Sequence, residues 1–321
     1  MKGGVSRRAL GALVLASAAR AESGWVPQRP ITVVVPFPPG GATDVTTRLL
    51  NERMAPRIPG TMVIDNRPGA ATIIGAEIVA RAAPDGHTLL MSSGTTLTIN
   101  PIIGRNLPYK PEDLAPIALI ATLPFALVVR QGLPDTVAAF VAHARANPGT
   151  INYGHNGRGS FNHIAAEVIQ EQLGIRMQDI PYRGDAAQLN DLLAGNLDAM
   201  VVAGASALPA MRSGRARIVA WTSEARMPST PEIPVFAETH PRLVSVTWFG
   251  LLAPARTPAA AIAKLGEAAR GALGEEGLKA GLLAAGIVAA RPDTPEAFAQ
   301  FLAAERAQME PLLRRLDIRL D

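Results

Sequence analysis

The sequence predicts an α/β fold of two domains with largely parallel sheets, and three observations carry that expectation. Short apolar runs alternate with helical patterns along most of the chain. Several runs are apolar on both faces, as strands covered by helices on both sides are. The chain's 321 residues exceed what one hydrophobic core usually organises.

The first strand is expected at Ile31 to Val35, running into the turn "PFPPGGATD" and a helix over Thr46 to Met54. Strand Met62 to Ile64, helix Ile73 to Ala82 and strand Thr88 to Met91 follow. The longest later apolar stretch, Ile117 to Val129, is interrupted by Thr122 and Pro124, and a strand is expected at its end, Ala126 to Val129. It falls short of the ~20 residues of a membrane-spanning helix. Helix Thr136 to Ala146, strand Ile151 to Tyr153, helices Phe161 to Leu173 and Ala187 to Ala194, and strands Leu197 to Val202 and Arg217 to Trp221 continue the alternation. Polar starts and the glycine stops Gly149, Gly174 and Gly195 punctuate the helices.

After "TWFGLLAPARTP" come three helical patterns, Pro258 to Leu273, Glu275 to Ala285 and Pro295 to Leu313, with no convincing sheet. This tail is expected to pack on an existing domain. The chain has no tandem repeat and no low-complexity linker, so crossing strands should join the domains and act as a hinge.

The formal charge of +4 points to a polyanion only while residues 1–21 are counted. That segment has a basic start (Lys2, Arg7, Arg8), an apolar core and the small-x-small end Ala19-Arg20-Ala21, the pattern of a secretory signal cut after Ala21. Cleavage removes four of the 31 basic residues and none of the 27 acidic ones, leaving formal neutrality and no case for nucleic-acid binding. The pair Arg7-Arg8 leaves general and twin-arginine export both open. With no cysteine there is no disulfide, thiol nucleophile, thiolate metal site or cysteine lipid anchor. The expected product is a soluble periplasmic monomer.

Two glycine-rich strand-to-helix turns carry the binding chemistry. In the first, Phe37, Pro38, Gly40 and Gly41 bring backbone close to a ligand, and Thr43 or Asp44 can cap the helix. In the second, "NYGHNGRGSFNHIAAE", a strand with Tyr153 runs through Gly154, His155, Gly157 and Gly159 to Ser160, which opens a helix. Exposed amides at helix N-termini attract anions, so the two turns read as two jaws on one small anion. Arg158 either pairs with a carboxylate or is simply solvated.

A third turn holds Tyr182, Arg183, Gly184 and Asp185. Arg183 is expected to hold a neighbouring loop in preference to touching the ligand; Asp185 either caps a helix or faces the ligand. His155 and His163 stand eight residues apart with no third ligand nearby in sequence, so they are read as polar contacts and no metal is expected. No G-x-S-x-G, H-E-x-x-H, S-x-x-K or P-loop is present, so no catalytic residue and no cofactor is assigned.

Six ordered segments, "VPFPPGGATDVTTR", "VIDNRPGA", "IGAEIVARAAPDGHTLLM", "NYGHNGRGSFNHIAAE", "PYRGDAAQLNDLLAG" and "WFGLLAPARTP", span nearly the whole chain. Through them it resembles the periplasmic solute receptors of tripartite tricarboxylate transporters, often called Bug proteins. The resemblance implies a type II periplasmic-binding-protein (Venus-flytrap) fold with mixed sheets, closing on a small organic carboxylate that it delivers to membrane permease subunits. It implies domain 1 at residues 25–122 plus 248–321 and domain 2 at 123–247, with Pro38 to Asp44 and Tyr153 to Ser160 as the two halves of the site. An exported enzyme or a ligand-sensing partner protein on the same fold is the alternative. The chain departs from the family pattern at His155, usually serine, at Ala71-Thr72, where a glycine is common, and at Asp185-Ala186, usually a small residue then proline. After "NLDAM", Val201 and Val202 stand where an aromatic residue and an aspartate are frequent.

Overall fold

The computed structural model describes residues 24–104 and 106–315. The expected export signal lies outside the described residues.

Strands are β1 (Ile31–Val35), β2 (Met62–Asn66), β3 (Thr88–Ser93), β4 (Leu114–Arg130), β5 (Asn152–His155), β6 (Gln178–Pro181), β7 (Ala199–Ala203), β8 (Ala216–Trp221), β9 (Val246–Pro254) and β10 (Val288–Ala289). The helices used below are α1 (Ala42–Met54), α2 (Ile73–Ala80), α3 (Val137–Ala146), α4 (Phe161–Leu173), α5 (Asp185–Ala194), α6 (Gly204–Arg212), α7 (Ala259–Leu273), α8 (Glu276–Ala284) and α9 (Pro295–Arg315). No helix among the described residues is long and apolar enough to cross a membrane.

The strands run in the order β2-β1-β3-β9-β4-β7-β5-β6, with β8 and β10 also paired to β4. The outer ladders β1/β2, β1/β3, β5/β6 and β5/β7 are parallel, and every ladder of β4 and β9 is antiparallel. The sheet is therefore mixed, and its antiparallel part belongs to the two strands that cross between lobes.

β4 changes partners along its length. Its first part, Leu114 to Pro124, pairs with β9, and from Phe125 onward it pairs with β7 and β8. Thr222 pins the hand-over: its N–H donates to the Phe125 carbonyl at 2.8 Å, its hydroxyl accepts the Phe125 N–H at 2.8 Å, and its carbonyl takes Ser245 N–H at 2.9 Å. Because Thr222 is fully buried, these bonds are shielded from water.

The C-terminal third corrects the sequence reading. Its three helices form close to where they are expected, but Val246–Pro254 is a nine-residue strand at the centre of the sheet. Trp248 on that strand is buried and meets Phe298 and Phe301 of α9 edge-on at 5.5 and 5.9 Å, which seats the last helix.

Candidate functional site

The topology places the two glycine-rich turns. β1 has parallel neighbours on both sides, as does β5, so each lobe has a topological switch point at the strand that feeds its turn. In open parallel sheets the crevice beyond the carboxyl ends at such points receives ligands. The start of α4 also lies beside the end of β3. Phe161, the first residue of α4, stacks on Phe125 at 5.7 Å, and its ring reaches the end of β3, where a Cβ on Gly94 would lie 2.9 Å from it.

Counting the amides shows which are available to an anion. The Gly40 N–H is already given to the Asp44 carboxylate at 2.9 Å, and the Gly159 N–H to His163 Nδ1 at 3.2 Å. Those two groups are therefore not the cradle that the motifs suggest. The N–H groups of Gly41, Ala42 and Thr43 at α1, and of Phe161, Asn162 and His163 at α4, have no acceptor among the described residues. The glycines serve the turn shape instead: Gly40, Gly157 and Gly159 have φ of 83°, 100° and 77°.

Other expected roles change. Neither Thr43 nor Asp44 caps α1, whose N-cap is Gly41 without a side-chain bond. Asp44 instead ties the turn together, accepting from Gly40 N–H, from Arg48 Nε and Nη2 at 2.8 and 3.0 Å, and from Asn66 Nδ2 at 3.0 Å. Asn66 also donates to the Phe37 carbonyl at 3.1 Å. Pro38 is exposed beside it.

In the second turn Tyr153 is buried and donates its hydroxyl to Glu167 at 2.8 Å, so it belongs to the core under α4. A Cβ on Gly154 would lie 2.9 Å from Gln188, so the glycine leaves room for that side chain. Ser160 is the N-cap of α4 by position only; its hydroxyl lies 2.6 Å from the Gly157 carbonyl, one of two acceptors within reach of its single proton.

Asp185 is not a cap either: Gly184 holds that position, and Asp185 is the first residue of α5. Its carboxylate accepts from Asn156 at 2.6 Å and from Ser206 at 2.7 Å, joining the turn after β5 to the starts of α5 and α6. Arg183 is exposed and makes no hydrogen bond or ion pair among the described residues, so the loop-holding role is not its own. Arg158 is 71% exposed and lies 3.4 Å from Asp179.

His155 and His163 prove to be neighbours, ring centroids 4.5 Å apart, and a third donor does stand beside them: Asp179 of β6, 3.6 Å from His155 Nε2. Burial pushes the His163 imidazole down to about 4, helped by the neighbouring His155. Burial also lowers His155, partly opposed by the nearby Gly157 backbone and the Asp179 carboxylate, which favour the charged form.

The unfolded chain therefore binds protons that the folded one refuses between the unfolded histidine value of ~6.5 and about 4. Stability falls with pH across that window and levels off below it. The expected loss from His163 alone is roughly 3 kcal/mol. Urea unfolding in the presence of a chelator at pH 7 and pH 4.5 measures it. A midpoint that does not move, or one that moves equally in His163→Gln, contradicts this assignment.

The tripartite tricarboxylate transporter family receptor model matches residues 46–318. The chain belongs to that receptor family. Protein BugT of Bordetella pertussis is 36% identical over 244 residues, covering 75% of each chain. Among solved structures, the chain is similar to an R. palustris protein crystallised with adipate (TM-score 0.86, 30% identity, covering 91% of this chain and 99% of that one). It is also similar to MatC of Rhodopseudomonas palustris with bound malate (TM-score 0.81, 30% identity, 89% and 99%). The fold of the receptor is thus the two-domain Venus-flytrap of these proteins.

Just ahead of α2 lies the segment where the chain departs from the family pattern. Ala70, Ala71 and Thr72 hold φ of 45°, 49° and 77°, a left-handed run without glycine where the family pattern favours one. Such residues cost of order 1–3 kcal/mol each and persist only when neighbours hold them. Here Asn100 donates to the Ala71 carbonyl at 2.7 Å and Thr96 to Thr72 Oγ1 at 2.9 Å.

Proposed function

We propose that the chain is a periplasmic solute receptor that binds a small organic carboxylate between its lobes and presents it to the permease subunits of a tripartite tricarboxylate-type transporter, without catalysis. The reading that carries this is the pair of unclaimed helix N-termini, at α1 and α4, set at the two switch points. The relatives with adipate and malate support the ligand class. The lobes are taken as residues 25–122 plus 248–321 and 123–247. The contacting groups proposed are Phe37 to Asp44, Gly157 to Ser160 and the Arg183 to Asp185 turn, with the 41–43 and 161–163 amides holding the anion; the imidazoles of His155 and His163, expected from the sequence as contacts, are buried beside the second turn and are left out.

One helix terminus contributes at most ~2 kcal/mol to an anion. Micromolar affinity needs about 8 kcal/mol, so both termini, hydroxyls and buried contacts must act together. Calorimetry against malate, adipate, lactate and aspartate tests the class, and binding of none of them overturns it. Export with cleavage after Ala21 belongs to the same proposal. N-terminal sequencing of exported protein should begin at Glu22, and material beginning at Met1 contradicts it.

Asp185 sets the expected selectivity. Its two donors hold the carboxylate in place without cancelling its charge, beside the second turn. A ligand's second carboxylate about 8 Å away meets roughly 2 kcal/mol of repulsion at an effective dielectric of ~20. Monocarboxylates and amino acids are therefore favoured over dicarboxylates, and Asp185→Asn should raise malate and adipate affinity about thirtyfold while leaving lactate unchanged. Identical ligand profiles in the two proteins remove Asp185 from selectivity.

A further inference from the structure

His155, His163 and Asp179 come from three elements: the end of β5, the first turn of α4 and the second residue of β6. One ligand atom from each lies within 4.8 Å of the others. They form a compact group beside the Gly157–Ser160 turn, tied to it by the bond from the Gly159 N–H to His163 Nδ1. We propose that these three side chains bind one divalent transition-metal ion of the zinc type, a site separate from the carboxylate cleft.

The decisive side chain is His155. It has no solvent exposure, and neither Nδ1 nor Nε2 has a hydrogen-bond partner. A neutral imidazole carries one donor and one lone pair, and the interior penalises leaving either unmet. The Asp179 carboxylate, 3.6 Å from Nε2, is too far to accept a hydrogen bond. A cation between them would use the lone pair and the carboxylate at once.

The donor set selects the ion. Two imidazoles and one carboxylate suit zinc and its neighbours, whereas magnesium and calcium demand oxygen shells. Metal–nitrogen bonds of about 2.0–2.1 Å place tetrahedral donors roughly 3.3 Å apart. The His155–Asp179 pair at 3.6 Å is close to that spacing already. Arg158, at 71% exposure, is free to swing away from Asp179 and leave its carboxylate to the ion. The fourth position remains open to water.

Metal at His163 has a consequence for the turn. Bound through Nδ1, the imidazole has no lone pair left for the Gly159 N–H; bound through Nε2, it carries a proton at Nδ1. Either way the 3.2 Å Gly159–His163 bond is lost, and the Gly159 amide is released.

The test uses the full mature chain without a histidine tag, stripped with EDTA and dialysed into chelator-free buffer with no carboxylate present. Titration with ZnCl2 by calorimetry and with CoCl2 by visible absorption should show one equivalent per chain, with the intense d–d bands of a four-coordinate site. The Gly159 amide signal should shift at the same stoichiometry. Asp179→Asn, a substitution at a partly exposed position, should retain the wild-type circular dichroism and weaken binding about 10-fold or more. His155→Gln should do the same. No stoichiometric binding by the wild type, or unchanged binding in Asp179→Asn, overturns the site. Because carboxylates are absent, this outcome is independent of the transport reading.

Discussion

Substitution of Gly204→Val is expected to hold the two lobes apart and weaken ligand binding by roughly ten- to a hundredfold. Gly204 is the first residue of α6, and a Cβ built there would lie 2.4 Å from the Cα of Gly286, 2.7 Å from its oxygen and 2.9 Å from its carbonyl carbon. All three are backbone atoms, so no flexible side chain can yield. Gly286 itself is fixed in the turn that ends α8, with φ of 71°, its N–H bonded to Leu283 and the Ile287 N–H to Leu282. Relief therefore requires the lobes to separate by about 1 Å or more. Overpacking of this kind costs typically 1–3 kcal/mol. If the cost falls on the closed form alone, it appears as lost affinity, because closure and binding are linked. Small-angle scattering should show the mutant failing to compact under saturating ligand, with an unchanged melting temperature in its absence. Gly204→Ala should give a smaller effect in the same direction. Wild-type affinity and compaction in Gly204→Val would mean that this contact plays no part in closure.

Much of the fold was legible where local punctuation is strong. Strand Ile31–Val35 and helix Phe161–Leu173 form as read, the helix because Ser160 opens it and Gly174, at φ 59°, closes it. Failures have physical causes. Residues 246–254 are apolar on both faces, so no period separates strand from helix, and their partners β3 and β4 are remote in sequence. β4 was legible only at its end because Pro116 and Pro124 interrupt the pattern, and the structure absorbs the first with a register shift. Helix Gly204–Arg212 was hidden by Gly204 and Pro209. The polar run Gln178–Pro181 gave no strand signal, and it is the β5/β6 register, Tyr153 opposite Asp179, that carries Asp179 to His155. The two turns were found by spacing, but which amides they leave free depends on where Asp44 and His163 point, and glycine spacing does not encode that.

Asp44→Asn should be the most damaging single change to the first turn, costing about 2–3 kcal/mol of stability and most of the ligand affinity. The carboxylate is 2% exposed and receives four hydrogen bonds, from Gly40, twice from Arg48 and from Asn66. An asparagine offers one oxygen to those donors and turns an N–H2 toward the rest, leaving buried donors facing a donor. Breaking a buried pair by removing one partner can cost 3–5 kcal/mol. Arg48 is 53% exposed and recovers water, so the lower figure is expected. The Gly40 N–H loses its acceptor, and the backbone of Gly41 to Thr43, whose amides are proposed to hold the anion, loses its anchor. The pH behaviour follows from the same contacts. Burial would raise the Asp44 carboxyl, but the bonds from Arg48, Gly40 and Asn66 outweigh it and hold it below the ordinary 3.8. Its contribution is therefore present above that value and lost as pH falls through the lower folded value. Urea unfolding of wild type and Asp44→Asn should differ fully at pH 7 and converge in strong acid. Equal midpoints at pH 7, with ligand affinity unchanged, would show that the turn keeps its shape without this carboxylate.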